Sequence, residues 1–184
     1  MTTVTVQERR SALALAGALI FLAVALAAIV RLGWATETRR LLDFGFAGMP
    51  ARLDTAVSIF AHNARLLAAV FGAILVAQSP WLAGRDIRHL PVMSLLAAAV
   101  DAVLALGVAA NVALVGAALG AYGVRMAVAM LPHGPLELAA YALALALYLQ
   151  ARRGPMTARH VLAVGALCLG GLALAALLET FAVP

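Results

Sequence analysis

The stretch SALALAGALIFLAVALAAIV, residues 11–30, holds twenty consecutive residues without a charged side chain. As an α-helix it would be about 30 Å long, which equals the thickness of the hydrocarbon core of a bilayer. A secretory signal peptide has an apolar core of only about 7–15 residues. Residues 34–36 (WAT) also make no convincing cleavage site. The stretch therefore predicts a membrane-spanning helix that is retained as an anchor.

The composition of the whole chain favours the same class. The 184 residues are 65% hydrophobic and 11% charged, with a mean hydropathy of +1.04. Soluble domains are about 45–50% apolar and about 25% charged, and a soluble chain of this length would bury only about 70% of its surface. Disordered chains are poor in apolar residues. We therefore predict an all-α, polytopic transmembrane helix bundle without a soluble domain.

The charge of the chain is basic and comes from arginine alone. The formal net charge is +5, and the chain contains no lysine. The arginines flank apolar runs, a pattern typical of topology signals and lipid headgroup contacts rather than of nucleic-acid binding. The single cysteine, Cys168, excludes an internal disulfide. We expect contact with the lipid bilayer, no nucleic-acid partner and no cofactor, since no P-loop or HExxH motif occurs.

Two segments follow the first apolar run. Residues 31–55 mix charged and large apolar side chains, which predicts an interfacial loop with an amphipathic segment along the membrane surface. Residues 56–77 are apolar again and predict a second crossing. A polar bend comes next, in which Trp81 is a candidate anchor at the membrane interface.

The next apolar stretch is too long for one crossing. Residues 91–131 would span about 60 Å as a helix, twice the hydrocarbon core. This length predicts either two crossings that turn near residues 107–111, or one crossing followed by a re-entrant half-helix.

A helix break separates this stretch from the last two apolar runs. Pro132 lacks a backbone donor and Gly134 relaxes the backbone, so the helix is expected to end there. The runs at 136–149 and 161–178 predict two further crossings, joined by an arginine-containing linker at 150–160.

These runs give five or six membrane helices in one transmembrane domain, residues 1–184. With five crossings, a cytoplasmic tail at residues 1–10 places the arginines of 85–88 and 152–159 on the cytoplasmic side as well, as the positive-inside rule favours. This arrangement leaves Arg39, Arg40 and Arg52 outside, where Glu37, Asp43 and Asp54 partly offset them. With six crossings, the arginines of 152–159 would lie outside. We favour a cytoplasmic N-terminus, and the sequence leaves the number of crossings open.

Three ionisable residues near the end of the chain are candidates for a polar cluster. His133 and Glu137 are four residues apart, so on a helix they would share one face and could hydrogen-bond. If the last two runs pack as an antiparallel hairpin, Glu179 lies at the same depth. Polar groups inside a membrane need partners or a water-filled cavity. The cluster predicts a proton, ion or partner-docking site, or a clamp holding the broken helix; its spacing does not indicate a metal site.

A second polar motif lies at the beginning of the run at 56–77. There we expect His62 and Asn63 to satisfy free backbone groups at a helix start, and Arg65 to reach the lipid headgroups. The alternative is that Arg65 pairs with an intramembrane acid such as Asp101 or Glu137.

A third motif concerns helix packing. Gly116 and Gly120 form a GxxxG step, and Asn111 lies little more than one turn before them. Small residues at this spacing let two helices approach closely, and asparagine can hydrogen-bond across helices. We expect internal packing rather than a dimer face. No convincing pair of nucleophile and base occurs, so we expect no enzymatic activity.

Four stretches together resemble the stage II sporulation protein M family: FAHNARLLAAVFGAIL (60–75), ANVALVGAALGAYG (110–123), LPHGPLELAAYALALAL (131–147) and AALLETFAVP (175–184). The resemblance covers residues 55–184, which we take as the family-like helical core. The residues that match the family pattern are His62, Asn63, Arg65, Asn111, Pro132, His133, Gly134, Glu137, Glu179 and Pro184.

The chain departs from the family pattern at two positions. Val112 follows Asn111 where the family usually has glycine, and Ala139 stands where a proline is usual. The resemblance implies a multi-pass protein of the bacterial cytoplasmic membrane that has no catalytic activity and acts as a scaffold for cell-envelope partners. Related members neighbour transport ATPases, so the resemblance also implies an alternative, a membrane subunit of an exporter that works with a separate ATPase.

Overall fold

The computed structural model of the protein describes residues 4–44, 51–78 and 91–182. Within these residues the fold is all-α, with seven helices and no strands. The helices are α1 (Val6–Gly33), α2 (Ala35–Leu42), α3 (Leu53–Gln78), α4 (Pro91–Tyr122), α5 (Val124–Met130), α6 (Gly134–Arg153) and α7 (Ala158–Phe181). Five of them, α1, α3, α4, α6 and α7, are long and apolar enough to cross a membrane. The predicted polytopic helix bundle is thereby confirmed.

α1 and α2 occupy parts of the segments that were predicted as a tail, residues 1–10, and as an interfacial loop, residues 31–55. α1 begins at Val6, because the Thr5 hydroxyl accepts from the Glu8 backbone N–H at 3.2 Å and the Glu8 carboxylate accepts from the Thr5 N–H at 2.7 Å. This capping box lies outside the apolar run. In the segment expected to be an interfacial loop, α2 forms a separate short helix with no buried residue. Trp81 and Pro184 lie outside the described residues.

The long apolar stretch forms one crossing, not two. α4 continues for 32 residues, or about 48 Å, and passes through residues 107–111 without a turn. Asn111 does not interrupt the helix, because its side-chain amide donates to the Gly107 carbonyl of the same helix at 2.9 Å. α4 ends before Gly123, whose positive φ of 61° suits glycine. The short α5 follows, so two crossings in this stretch were a wrong alternative.

The core of the bundle is built around α6, which packs against α1, α3 and α7. In the most apolar segment of α6, 39% of the residues are buried inside the bundle, compared with 11% in that of α1. Small side chains on α6 make this possible, since Ala140, Ala144 and Ala151 are all nearly inaccessible. The buried residues that pack around them include Leu67, Val70, Ile74, Leu147, Val164, Cys168 and Leu172. The outward faces of the long helices carry exposed large apolar side chains, as expected where lipid is the solvent.

α6 and α7 form an antiparallel hairpin around residues 154–157, and we call this end of the bundle the linker end. α1 begins at the same end, because Glu8 in its first turn contacts His160 at the start of α7 at 2.5 Å. α3 ends there too. The Gln78 side chain donates to the carbonyls of Ala151 and Gly154 at 2.8 and 3.0 Å and accepts from the Met156 N–H at 2.8 Å.

Through these three hydrogen bonds, the Gln78 side chain holds the end of α6 at the end of α3. We expect Gln78→Leu to lower the free energy of unfolding by about 2–4 kcal/mol, because three hydrogen bonds worth about 1 kcal/mol each are lost and backbone groups are left without partners. Thermal unfolding in detergent would measure the change. Gln150→Leu is the matched control, because the buried Gln150 Oε1 has no hydrogen-bond partner among the described residues. If both variants lose the same free energy of unfolding, the hydrogen bonds of Gln78 do not stabilise the end of α6.

Candidate functional site: a polar cavity at one end of the bundle

A polar cavity of about 340 Å³ lies at the end of the bundle opposite the linker end. It is formed by α3, the turn before α6, the first turn of α6 and the last turns of α7. The lining residues are Ser58, Ile59, His62, Asn63, His133, Glu137 and Glu179. The structure therefore places His133, Glu137 and Glu179 around one cavity, together with two residues of the motif at 62–65.

Asn63 and Glu137 connect α3 to α6 directly. The side-chain amide of Asn63 donates to Oε1 of Glu137 in a short hydrogen bond. One turn further along α6, the Tyr141 hydroxyl donates to the backbone carbonyl of Asn63 at 2.9 Å. We call these three residues the α3–α6 brace. Tyr141 was missed by the sequence analysis, although it lies four residues after Glu137 and so on the same helix face.

The interpretation of His62 and Asn63 as the start of a helix is wrong. α3 begins at Leu53, with Asp54 in its first turn, so both residues lie well inside the helix. Backbone groups there are already bonded within the helix. Their side chains line the polar cavity instead.

His133 lies immediately before α6 and is buried. It forms no hydrogen bond with Glu137, and its Nδ1 has no partner among the described residues. Burial lowers the pKa of His133 below its usual range, while the nearby Glu179 carboxylate acts in the opposite direction.

The alternative that Arg65 pairs with Asp101 or Glu137 is also wrong. Asp101 on α4 accepts from Arg152 at 3.0 Å and from the Tyr148 hydroxyl at 2.5 Å, both on α6. Arg65 is exposed on α3 and forms no ion pair within the part of the chain that the structure describes.

Gly116 and Gly120 lie in the contact between α4 and α1. A Cβ atom on Gly116 would meet the Ala23 carbonyl oxygen at 2.8 Å, and one on Gly120 would meet the Ala27 carbonyl oxygen at 2.6 Å. Because the residue numbers rise together along both helices, α1 and α4 run in parallel. Among the described residues, Asn111 bonds only to its own helix.

The helix break at Pro132 and Gly134 shapes the mouth of the polar cavity. α5 ends at Met130, residues 131–133 form a turn, and α6 starts at Gly134 with Pro135 in its first positions. The break positions His133 and Glu137 opposite Glu179 at the end of α7.

A second cavity, of about 450 Å³, adjoins these residues and is mainly apolar. We call it the apolar cavity. It lies between α1, α3, α4, α5 and α6, and its walls include Leu19, Val108, Val112, Val115, Leu119, Leu138 and Leu145. Asn63 and Glu137 line both cavities. Nothing in the sequence indicated this cavity, because its walls come from five separate helices.

No protein-family model, curated protein or solved structure matches the chain. The described residues also contain no group of three or more His, Cys, Asp or Glu arranged to hold a metal ion. The chemistry that the site offers is therefore that of two carboxylates, two imidazoles and an amide beside an apolar space.

Proposed function

We propose that the chain is a non-enzymatic, multi-pass protein of the bacterial cytoplasmic membrane that acts as a scaffold or assembly partner in a cell-envelope complex. The main support is the α3–α6 brace, in which Glu137 and Tyr141 on α6 each hydrogen-bond to Asn63 on α3. Polar groups used in this way stabilise one fixed arrangement of helices. A fixed arrangement is what a scaffold requires, and two of the three positions, Asn63 and Glu137, are among those that carry the resemblance to the stage II sporulation protein M family.

The distribution of arginine supports a cytoplasmic linker end. α1 and α7 begin there and α6 ends there, so five crossings bring several arginines together at that side. The arginines of described helices at that end are Arg9, Arg10, Arg152, Arg153 and Arg159. Applied to these arginines, the positive-inside rule favours a cytoplasmic linker end, with the polar cavity toward the outer side. Arg39, Arg40 and Arg52 lie at the opposite end, where the charges of Glu37, Asp43 and Asp54 partly offset theirs.

α2 supplies a surface on which a partner could be held. Arg39 donates from Nε to the Ala121 carbonyl at 2.6 Å, and the Tyr122 hydroxyl donates to the Arg39 carbonyl at 3.3 Å. These bonds fix α2 against the end of α4. The rest of α2, including Glu37, Arg40 and Leu41, remains exposed, so a positioned helix presents charged side chains at the membrane surface.

The proposal can be tested by photo-crosslinking in living cells. A photoreactive residue at Arg40 on α2 is expected to capture an envelope-acting partner, such as a peptidoglycan-degrading enzyme. The same probe at Leu13, which is exposed on the apolar face of α1, is the control and should capture no such protein. An identical, partner-free pattern at both positions would contradict the scaffold proposal.

A second candidate function is a membrane subunit of an exporter that works with a separate ATPase. It is favoured by the fact that Asn63 and Glu137 border both a polar and an apolar cavity, which suits passage of an amphipathic molecule. Capture of an ATPase at Arg40, with loss of export in a normally folded Glu137→Gln variant, would favour this function over the scaffold.

The brace itself gives a stability prediction. We expect Asn63→Leu to lower the free energy of unfolding by about 1–3 kcal/mol, because the partly buried Glu137 carboxyl loses its hydrogen-bond partner. Asn111→Leu is the matched control, since its amide bonds only to its own helix, and it should be near neutral. Thermal unfolding of both variants in the same detergent would measure the difference. A neutral Asn63→Leu would show that the brace does not hold α3 to α6.

A further inference from the structure

The two cavities together have the character of an amphipathic binding site. We propose that they bind one molecule of a membrane lipid that carries a primary amine in its headgroup. The ammonium group lies in the polar cavity against Glu137 and Glu179, and an acyl chain occupies the apolar cavity. This inference does not depend on the scaffold proposal, because it concerns only the geometry and charge of the cavities.

The apolar cavity is open to the lipid phase. Three of its lining side chains, Ile20, Val24 and Leu131, are 51%, 56% and 66% exposed. α1, which carries two of them, is long and apolar enough to cross the membrane, so the solvent outside this wall is acyl chains. A volume of about 450 Å³ is within the usual range for ligand pockets of about 300–1,000 Å³. An acyl chain can therefore enter from the side without crossing a polar barrier.

The polar cavity selects the headgroup by charge. Its lining includes two carboxylates and no arginine among the described residues. Glu137 accepts one hydrogen bond from Asn63, and Glu179 accepts none within the described part of the chain. An ammonium group offers three donors, and hydrogen bonds from a cation to a carboxylate are the strong ones. A headgroup without a positive charge gains nothing there, and a quaternary amine has no N–H to donate.

The charge of the site can be removed without breaking the brace. Asn63 donates to Oε1 of Glu137, and glutamine keeps a carbonyl oxygen at that position. Glu137→Gln therefore retains the link between α3 and α6 while it removes one of the two carboxyl groups that face the headgroup. Glu179→Gln removes the other carboxyl group.

Native mass spectrometry of the purified full chain in detergent tests the proposal. The probes are dioleoyl phosphatidylethanolamine, which has a primary amine, dioleoyl phosphatidylcholine, which has a quaternary amine, and dioleoyl phosphatidylglycerol, which has none. We expect one molecule of phosphatidylethanolamine to bind at least about tenfold more tightly than either of the others, since hydrogen bonds from an ammonium group to a carboxylate are among the strong ones. Glu137→Gln and Glu179→Gln should each remove most of this preference for the primary amine.

A substitution in the apolar cavity tests whether that cavity holds the acyl chain. Val115→Phe places a larger side chain in the apolar cavity and should weaken the binding of all three lipids. Leu13→Phe, on the exposed face of α1, should change none of them. Circular dichroism and size-exclusion chromatography establish that each variant is folded, and if Glu179→Gln does not fold, Glu137→Gln alone decides.

Three results would overturn the proposal. The first is equal binding of the three lipids, and the second is an unchanged preference for the primary amine in a folded Glu137→Gln variant. The third is occupation of the site by a second copy of the chain, seen as a dimer that phosphatidylethanolamine does not displace.

Discussion

Gly120→Val is expected to separate α1 from α4 and to abolish recovery of folded, monodisperse protein. A Cβ atom at Gly120 would lie 2.6 Å from the Ala27 carbonyl oxygen and 2.7 Å from the Val30 Cβ. Neither neighbour can rotate away, because one is backbone and the other is the first atom of a β-branched side chain on a helix. Excess volume in a packed core costs about 1–3 kcal/mol, occasionally more. Valine adds two further carbons at the closest point between the helices, so we expect more than 3 kcal/mol here.

The control for this prediction is Gly17→Ala, on α1. No atom lies within 4 Å of the position where its Cβ would be, so the substitution should be neutral or stabilise the helix by about 0.5–1 kcal/mol. Yield and thermal unfolding of the two variants in one detergent would measure the contrast. If Gly120 instead formed a dimer face, Gly120→Val would change the ratio of dimer to monomer and leave the folded yield intact, and that result would contradict the contact with α1.

The membrane-spanning segments could be predicted because they depend on local properties. A helix crosses a bilayer when about twenty successive residues are apolar, and the sequence shows this directly. The ends of the helices depend on neighbouring polar residues. α1 begins at Val6 because Thr5 and Glu8 form a capping box, and the pattern TVQE at residues 5–8 contains that signal. Attention to the apolar run alone placed the start of the helix too late.

The partners of the intramembrane polar residues could not be predicted in the same way. Asn63 bonds to Glu137 and Asp101 bonds to Arg152, and each pair joins two different helices. Helical periodicity predicts which residues share a face of one helix, but not which helix packs against that face. The sequence did not suggest Arg152 as the partner of Asp101, because the two residues lie on different helices and become neighbours only when α4 packs near the end of α6.

The placement of His133, Glu137 and Glu179 needed less information. If the runs at 136–149 and 161–178 form an antiparallel hairpin, the beginning of the first run and the end of the second lie at the same membrane depth, whichever faces of the two helices are in contact. That is why the sequence places these three residues together. The sequence does not show that α3 lines the polar cavity or that the apolar cavity exists. Both depend on the packing of helices that are distant in the chain.

His160→Ala is expected to destabilise the linker end strongly. The Glu8 carboxylate is only 1% exposed, and it contacts Nε2 of His160 at 2.5 Å and the Thr5 N–H at 2.7 Å. Removal of His160 leaves a buried carboxylate without its basic partner. Breaking one side of a buried pair costs about 3–5 kcal/mol, so we expect a decrease of that size in the free energy of unfolding, measured by thermal unfolding in detergent.

Two controls separate this effect from the general loss of a side chain. Arg52→Ala removes one member of the ion pair with Asp54, whose side chains are 70% and 64% exposed and 2.9 Å apart, and such surface pairs contribute only about 0–1 kcal/mol. In the double variant Glu8→Gln with His160→Ala, no charge is left buried, so much of the lost stability should return. If His160→Ala costs no more than Arg52→Ala, the contact does not hold α1 to α7. A large loss that Glu8→Gln relieves would show that the buried charge at Glu8, and not the volume of the imidazole, is what makes the start of α1 dependent on the start of α7.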